Sequence, residues 1–275
     1  MKLATWNVNS LAVRLPQLLD WLALHTPDAL CLQETKLTDD KFPVAEIEAA
    51  GYRAQWFGQK TYNGVALLTR GEAVDVVRNI PGHDDAQARV ITATVDGVRL
   101  IGAYVPNGQS VDSDKFGYKL RWLEALRAWV GDEMKRHPQL ALLGDYNIAP
   151  EDRDVHDPVA WAGQVLCTPQ ERAQFQGLIG LGLHDSFRLF EQPEKLYSWW
   201  DYRMLAFRKN QGLRIDHILV SDALKGRVTA CVIDRPTRKN ERPSDHAPVI
   251  VELAARSRRG CSRRRVHAAG SRTAR

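Results

Sequence analysis

Apolar residues along the chain gather into short runs separated by polar turns, and eight of these runs have the length of a strand. KLATW, DALCLQ, GVALLTR, RVITATV, VRLIGAYV, LALLG, RIDHILV and PVIVEL read as strands, several of them nearly continuous in apolar residues, as strands covered on both faces are. Two longer segments, LPQLLDWLALH and KFGYKLRWLEALRAWVGDEMKRH, follow a helical period. In the second, Phe116, Leu120, Leu123, Val130 and Met134 fall on one stripe. A third helix opens at TPQERAQF, where Thr168 as cap, Pro169 at the first helical position and Glu171 form a capping box read as purely structural. Buried strands with helices between them predict an α/β fold of layered sheets and helices, with functional side chains on loops at strand ends. No Pro/Gly/Ser-rich linker precedes residue 256, so the reading is a single domain over 1–255 and a tail over 256–275.

Composition changes this picture little. The chain has 275 residues and is 44% hydrophobic, ordinary for a globular protein. No apolar run approaches the roughly 18 residues of a membrane span, and polar Asn7 comes too early for a signal-peptide core. A cytoplasmic monomer without membrane attachment is expected. The net charge of +5 suggests nucleic acid until its distribution is read. Residues 256–275 hold eight Arg and no acid, which leaves 30 basic against 33 acidic residues in the body, a charge of about −3. The tail reads as a disordered cationic extension adding at most weak phosphate attraction. Cys31, Cys167, Cys231 and Cys261 are widely spaced without a C-x-x-C pair and are read as reduced, Cys31 as a core residue.

The chemistry concentrates where the apolar runs stop. LALLGDYNIAP delivers Asp145 and Asn147 two positions apart, on one face of an extended chain. TWNVN supplies Asn7 and Asn9, CLQET supplies Glu34, RIDHILV supplies Asp216 and His217, and RPSDHAPV supplies Ser244, Asp245 and His246. Singly, such residues are more often turn formers or caps. Together, Glu34, Asp145, Asp216 and Asp245 with Asn7, Asn147 and His246 make an oxygen-rich set without thiolates, suited to a hard cation such as Mg²⁺ and to phosphoester hydrolysis. Spacing leaves open whether they meet in space.

WNVNSL, LQETK, GQKTYNGVALL, YVPNG, GDYNIAP, LRIDHILVS and PSDHAPV, in that order across residues 5–250, resemble the exonuclease III family of abasic-site endonucleases. QET, GDxN and SDH are shared with a wider superfamily that includes inositol-polyphosphate phosphatases and sphingomyelinases, whereas GQKTYNGVALL and LRIDHILVS narrow the match to DNA repair. The resemblance implies a four-layer sandwich, two mixed β-sheets face to face with helices outside. It implies a Mg²⁺-dependent enzyme, with Mn²⁺ as a substitute, cutting duplex DNA 5′ to abasic sites or trimming damaged 3′ ends. Carried over by position, Glu34 is the principal metal ligand with Asn7 and Asp245 nearby, and Asp145, Asn147 and His246 adjoin the same ion. Asp145 deprotonates the attacking water, Asn147 holds that water or a phosphate oxygen, His246 bonded to Asp216 stabilises transition-state charge, and Tyr104 gives its phenol to the phosphate or leaving group.

Within YSWWDYRMLAFRKNQGLRID the resemblance implies that Trp199, Leu213 and Ile215 line an apolar pocket for a baseless sugar, and that Arg203 inserts where the base is missing. Lys60 and Tyr62 would touch the opposite backbone. Asn9 stands where some relatives carry an acid, and Gln109 where some carry a base. Two other readings share the scaffold: a phosphoesterase acting on a non-DNA substrate, and a non-catalytic DNA-binding protein.

Overall fold

The structure, a computed structural model, describes residues 1–255; the tail read over 256–275, with Cys261, lies outside the described residues. The strands are β1 (Lys2–Asn7), β2 (Ala29–Gln33), β3 (Arg53–Phe57), β4 (Val65–Thr69), β5 (Ala73–Arg78), β6 (Val90–Val95), β7 (Val98–Tyr104), β8 (Leu140–Asp145), β9 (Leu183–Asp185), β10 (Asp216–Ser221), β11 (Val228–Ile233) and β12 (Val249–Leu253). The helices are α1 (Leu11–His25), α2 (Val44–Ala49), α3 (Asp114–Arg136), α4 (Pro158–Trp161), α5 (Pro169–Ile179), α6 (Ala206–Lys209) and α7 (Asp222–Lys225). None is long and apolar enough to cross a membrane among the described residues.

The strands form two six-stranded sheets, ordered β11-β12-β1-β2-β4-β3 and β5-β6-β7-β8-β10-β9. Both are mixed: β1 runs parallel to β2 and β7 parallel to β8, with antiparallel neighbours elsewhere. Alternation along each strand builds the layers. Leu3, Cys31, Leu100, Leu143 and Val251 point between the sheets into a shared core. Ala4, Trp6, Leu30 and Leu32 point outward and pack against Leu18, Trp21 and Leu22 of α1. On the far side Ile101, Ala103 and Leu142 meet Trp122 and Leu126 of α3 and Phe175 of α5. The result is the expected four-layer α/β sandwich.

All eight strands read from the sequence are interior strands, and the four it did not show, β3, β5, β9 and β11, are the four edges. An edge strand is paired on one side and covered only in part, so it carries no continuous apolar run. Most of β5 is exposed, and β9 is three residues long.

The stripe on α3 is corrected by the structure. Its buried face runs through Phe116, Lys119, Trp122, Leu123, Leu126, Trp129, Val130 and Glu133, with Leu120 and Met134 only half-buried. Lys119 and Glu133 escape an apolar pattern because each is buried through an ion pair, with Glu171 and Arg99 respectively. The capping box at α5 forms as read, Thr168 Oγ1 accepting from Glu171 N at 3.1 Å. Cys31, Cys167 and Cys231 are buried free thiols.

Candidate active site

Six strands bring polar residues to one end of the sandwich. β1 ends at Asn7, β2 leads into Glu34, β7 ends at Tyr104 and β8 at Asp145. β10 runs the opposite way and begins there with Asp216, and the chain passes through Ser244–Asp245–His246 before entering β12. Register fixes the alignment: Asp145 is paired with Tyr104 on one side and Asp216 on the other. Gly144 allows this approach, because a Cβ there would stand 1.8 Å from the Ala103 carbonyl oxygen.

Asn7 joins the two sheets. Its Nδ2 donates to Glu34 Oε1 at 2.8 Å and to Asp145 Oδ2 at 2.9 Å, while Ser244 Oγ donates to its carbonyl at 2.6 Å. Ligand atoms of Glu34, Asp145 and His246 all lie within 4.8 Å of one another. His246 Nδ1 lies 2.9 Å from Asp216 Oδ2, and its Nε2 lies 3.7 Å from Asp145 Oδ2. The backbone N–H of Asn147 donates to Asp145 Oδ1 at 2.9 Å, and its Nδ2 donates to the Val105 carbonyl at 3.0 Å. Glu34 and Asn147 both hold left-handed backbone, φ 53° and 49°, a conformation that costs a residue with a Cβ, though an asparagine least.

Burial sets the electrostatics. It pushes the Asp145 carboxyl up to about 7, with Asp216 adding to the rise while His246, Asn7 and the Asn147 N–H oppose it. Burial works against charge on His246, but Asp216 and Asp145 outweigh it and lift the imidazole to about 10. The Tyr104 phenol is held well above its usual range, first by burial and then by Glu34 and Asp145, so it keeps its proton.

Residues 4–246 match the profile of the Endonuclease/Exonuclease/phosphatase family. The chain belongs to that family. Relatives include exodeoxyribonuclease III of Haemophilus influenzae, 37% identical across 92% of this chain and 100% of the relative, and the DNA repair nuclease APEX1 of Danio rerio, 34% identical across 92% and 82%. Among solved structures, the 3′-phosphatase NExo from Neisseria, bound to a product DNA hairpin, superposes with a TM-score of 0.91 at 51% identity, covering 93% of this chain and 100% of that one. An AP endonuclease from Archaeoglobus fulgidus gives 0.89 at 35%, with the same coverage. This member of the family is a DNA-repair nuclease of the exonuclease III type, and its Glu34, Asp145 and His246 offer ligand atoms that could hold a metal ion.

Other expected site residues lie around this centre. Asp245 is not one of the three residues whose ligand atoms cluster; it accepts from Trp199 Nε1 and Asn9 Nδ2, both at 2.9 Å. Lys60 and Tyr62 are exposed on the loop between β3 and β4. Tyr62 borders a cleft of about 740 Å³ with Arg89, Tyr104, Asn107 and Gln109. Arg203 is exposed and paired with Asp201 at 2.7 Å. Leu213 and Ile215, expected to line a sugar pocket, are 0% and 1% exposed inside an apolar cluster with Ala149, Val155 and Leu166, against which half-buried Trp199 packs.

Sequence reasoning missed several neighbours. Lys36 pairs with Glu34 Oε2 at 3.0 Å and donates to Asn9 Oδ1, and its place two residues beyond Glu34 in QETK was a signal. The Arg89 guanidinium lies 5.0 Å above the Tyr104 ring, a contact with no mark in the sequence.

Proposed function

We propose that this family member hydrolyses phosphoesters at the 3′ ends of duplex DNA and, at the same centre, the backbone 5′ to abasic sites, with Mg²⁺ as its cation. The convergence of Glu34 and Asp145 beside the Asp216–His246 pair, at one end of two sheets, carries this reading. Two carboxylates with an adjacent amide and no thiolate fit a hard divalent ion. Glu34 would be its main holder with Asp145 beside it, and the ion would polarise a phosphate oxygen and offset charge there.

Asp145, poised near neutrality by burial, takes the proton of the attacking water. Asn147, hydrogen-bonded to Asp145, keeps that water or a phosphate oxygen in line. His246, charged and fixed by Asp216, donates from Nε2 to the phosphate as its charge grows. An imidazolium is not a metal ligand, so the donor role is the one its surroundings favour. Tyr104 retains its proton and gives a second hydrogen bond. Lys60, Tyr62, Trp199 and Arg203 contact the duplex around this point, with Leu213 and Ile215 as the covered floor beneath Trp199. That coverage favours 3′-end processing as the stronger activity on this chain.

The full chain, incubated with duplexes bearing a 3′-phosphate, a recessed 3′-hydroxyl or an internal abasic site, is expected to process all three with Mg²⁺ and none with EDTA. Cleavage that survives chelation, or turnover confined to an inositol phosphate, contradicts the reading.

A further inference from the structure

The capping box at the start of α5 does more than open a helix. Lys119 of α3 and Glu171 of α5 are both 0% exposed, and their ion pair sits directly behind the Asp145–Asn147 turn. An ammonium has three protons to place. One goes to Glu171, one to the Asn107 carbonyl at 3.1 Å and one to the Asn147 carbonyl at 2.7 Å. Asn107 Nδ2 in turn donates to Asn147 Oδ1 at 3.1 Å, so Lys119 ties together the backbones of two residues whose side chains also bond. Glu171 is anchored as well, accepting from Leu166 N at 3.0 Å and from Thr168 N and Oγ1 at 3.0 and 2.7 Å. The next two carbonyls of the turn are held from other directions: His217 Nε2 lies 2.9 Å from Ile148 O, and Arg172 Nε donates to Ala149 O at 3.1 Å. Three successive carbonyls are thus clamped by three different elements just past the left-handed Asn147.

We propose that Lys119, held by Glu171, is a positioning residue for Asn147: its ammonium locks the turn so that the Asn147 amide stays in line with Asp145. Asparagine tolerates left-handed backbone, but the ordinary right-handed and extended regions remain open to it, and relaxing into either would swing its side chain away. A neutral side chain at 119 would leave the Asn107 and Asn147 carbonyls without their common donor and free that relaxation. Lys119 touches neither water nor DNA; it acts through Asn147, and the inference rests on the role given to Asn147 above.

A double-mutant cycle tests it on the full chain with Mg²⁺ and a 3′-phosphate duplex. Lys119→Met/Glu171→Gln removes both charges without stranding either, and Asn147→Ala removes the positioned amide. If Lys119 works through Asn147, the neutral pair lowers kcat at least about tenfold with KM nearly unchanged, and adding Asn147→Ala to it costs no more than Asn147→Ala alone. Lys119→Met alone, in which Glu171 keeps its bonds from Leu166 and Thr168, takes the same cycle if the neutral pair does not fold. Losses that multiply across the cycle, or wild-type kcat in a folded Lys119 variant, overturn the proposal while leaving the role of Asn147 standing. Wild-type kcat in Asn147→Ala overturns both.

Discussion

At His246 two carboxylates compete with burial, and the outcome decides what the side chain can do. Asp216 touches Nδ1 from behind and Asp145 faces Nε2, so the ring stays charged although it is buried. A raised pKa means the charged donor is present at low and neutral pH and is lost only as pH climbs through about 10. Asp216→Asn removes the stronger of the two supports and lets burial pull the pKa down. That variant is expected to lose about 100-fold in kcat, with the alkaline limb of its kcat–pH profile displaced to lower pH. An unmoved limb would mean that His246 does not act as the charged donor. Asp145, Asn147 and Glu34 were legible in the sequence because each lies within three residues of the end of an apolar run. Arg89 and Lys119 were not, because a lone basic residue looks alike whether it faces solvent or a buried partner.

Among the elements, the loop from Tyr197 to Asp216 shows how local backbone presents a surface. Met204 and Leu205 both take left-handed φ, 58° and 56°, and Met204 is 77% exposed beside the solvent-facing Arg203. The loop is supported from below: the Arg238 guanidinium lies 4.9 Å from the Phe207 ring centroid and 5.6 Å from that of Tyr202. Exposed apolar side chains on a braced tip suit a wedge against a base step. Met204→Ser/Leu205→Ser is therefore expected to raise KM for duplex DNA about tenfold with little change in kcat or thermal stability. A fall in kcat at constant KM would place the tip in the chemistry instead. The same elements explain what the sequence reading of the fold could reach. Interior strands announced themselves by two covered faces, while β5 and β11 alternate too weakly to stand out. The α3 stripe misled because two of its buried positions are charged.

For the molecule as a whole, a buried polar network ties β9 and β10 to the turn around Asp154. Arg214 donates from Nε to Asp154 at 2.6 Å and from Nη2 to Asp185 at 2.8 Å, and its Nη1 lies 3.0 Å from His217 Nδ1. Burial, reinforced by Arg214, lowers the His217 pKa to about 4. Between that value and the ordinary 6.5 the unfolded chain binds a proton that the folded chain refuses, so stability falls as pH drops through this window and is fully regained above it. The loss amounts to about 3 kcal/mol. Urea unfolding followed against pH should show that slope in the wild type and a flatter one in His217→Gln; equal slopes would exclude His217 as its source. The sequence by itself determined the eight interior strands, the order of motifs and the residue types of a phosphoesterase centre, because covered strands must be apolar and hydrolysis needs carboxylates with a proton donor. Only the tertiary structure decided that Glu34, Asp145, Asp216 and His246 meet, and which buried charges stand behind them. Those contacts join residues far apart in the chain, and their distances depend on the register of two stacked sheets, which no local pattern encodes.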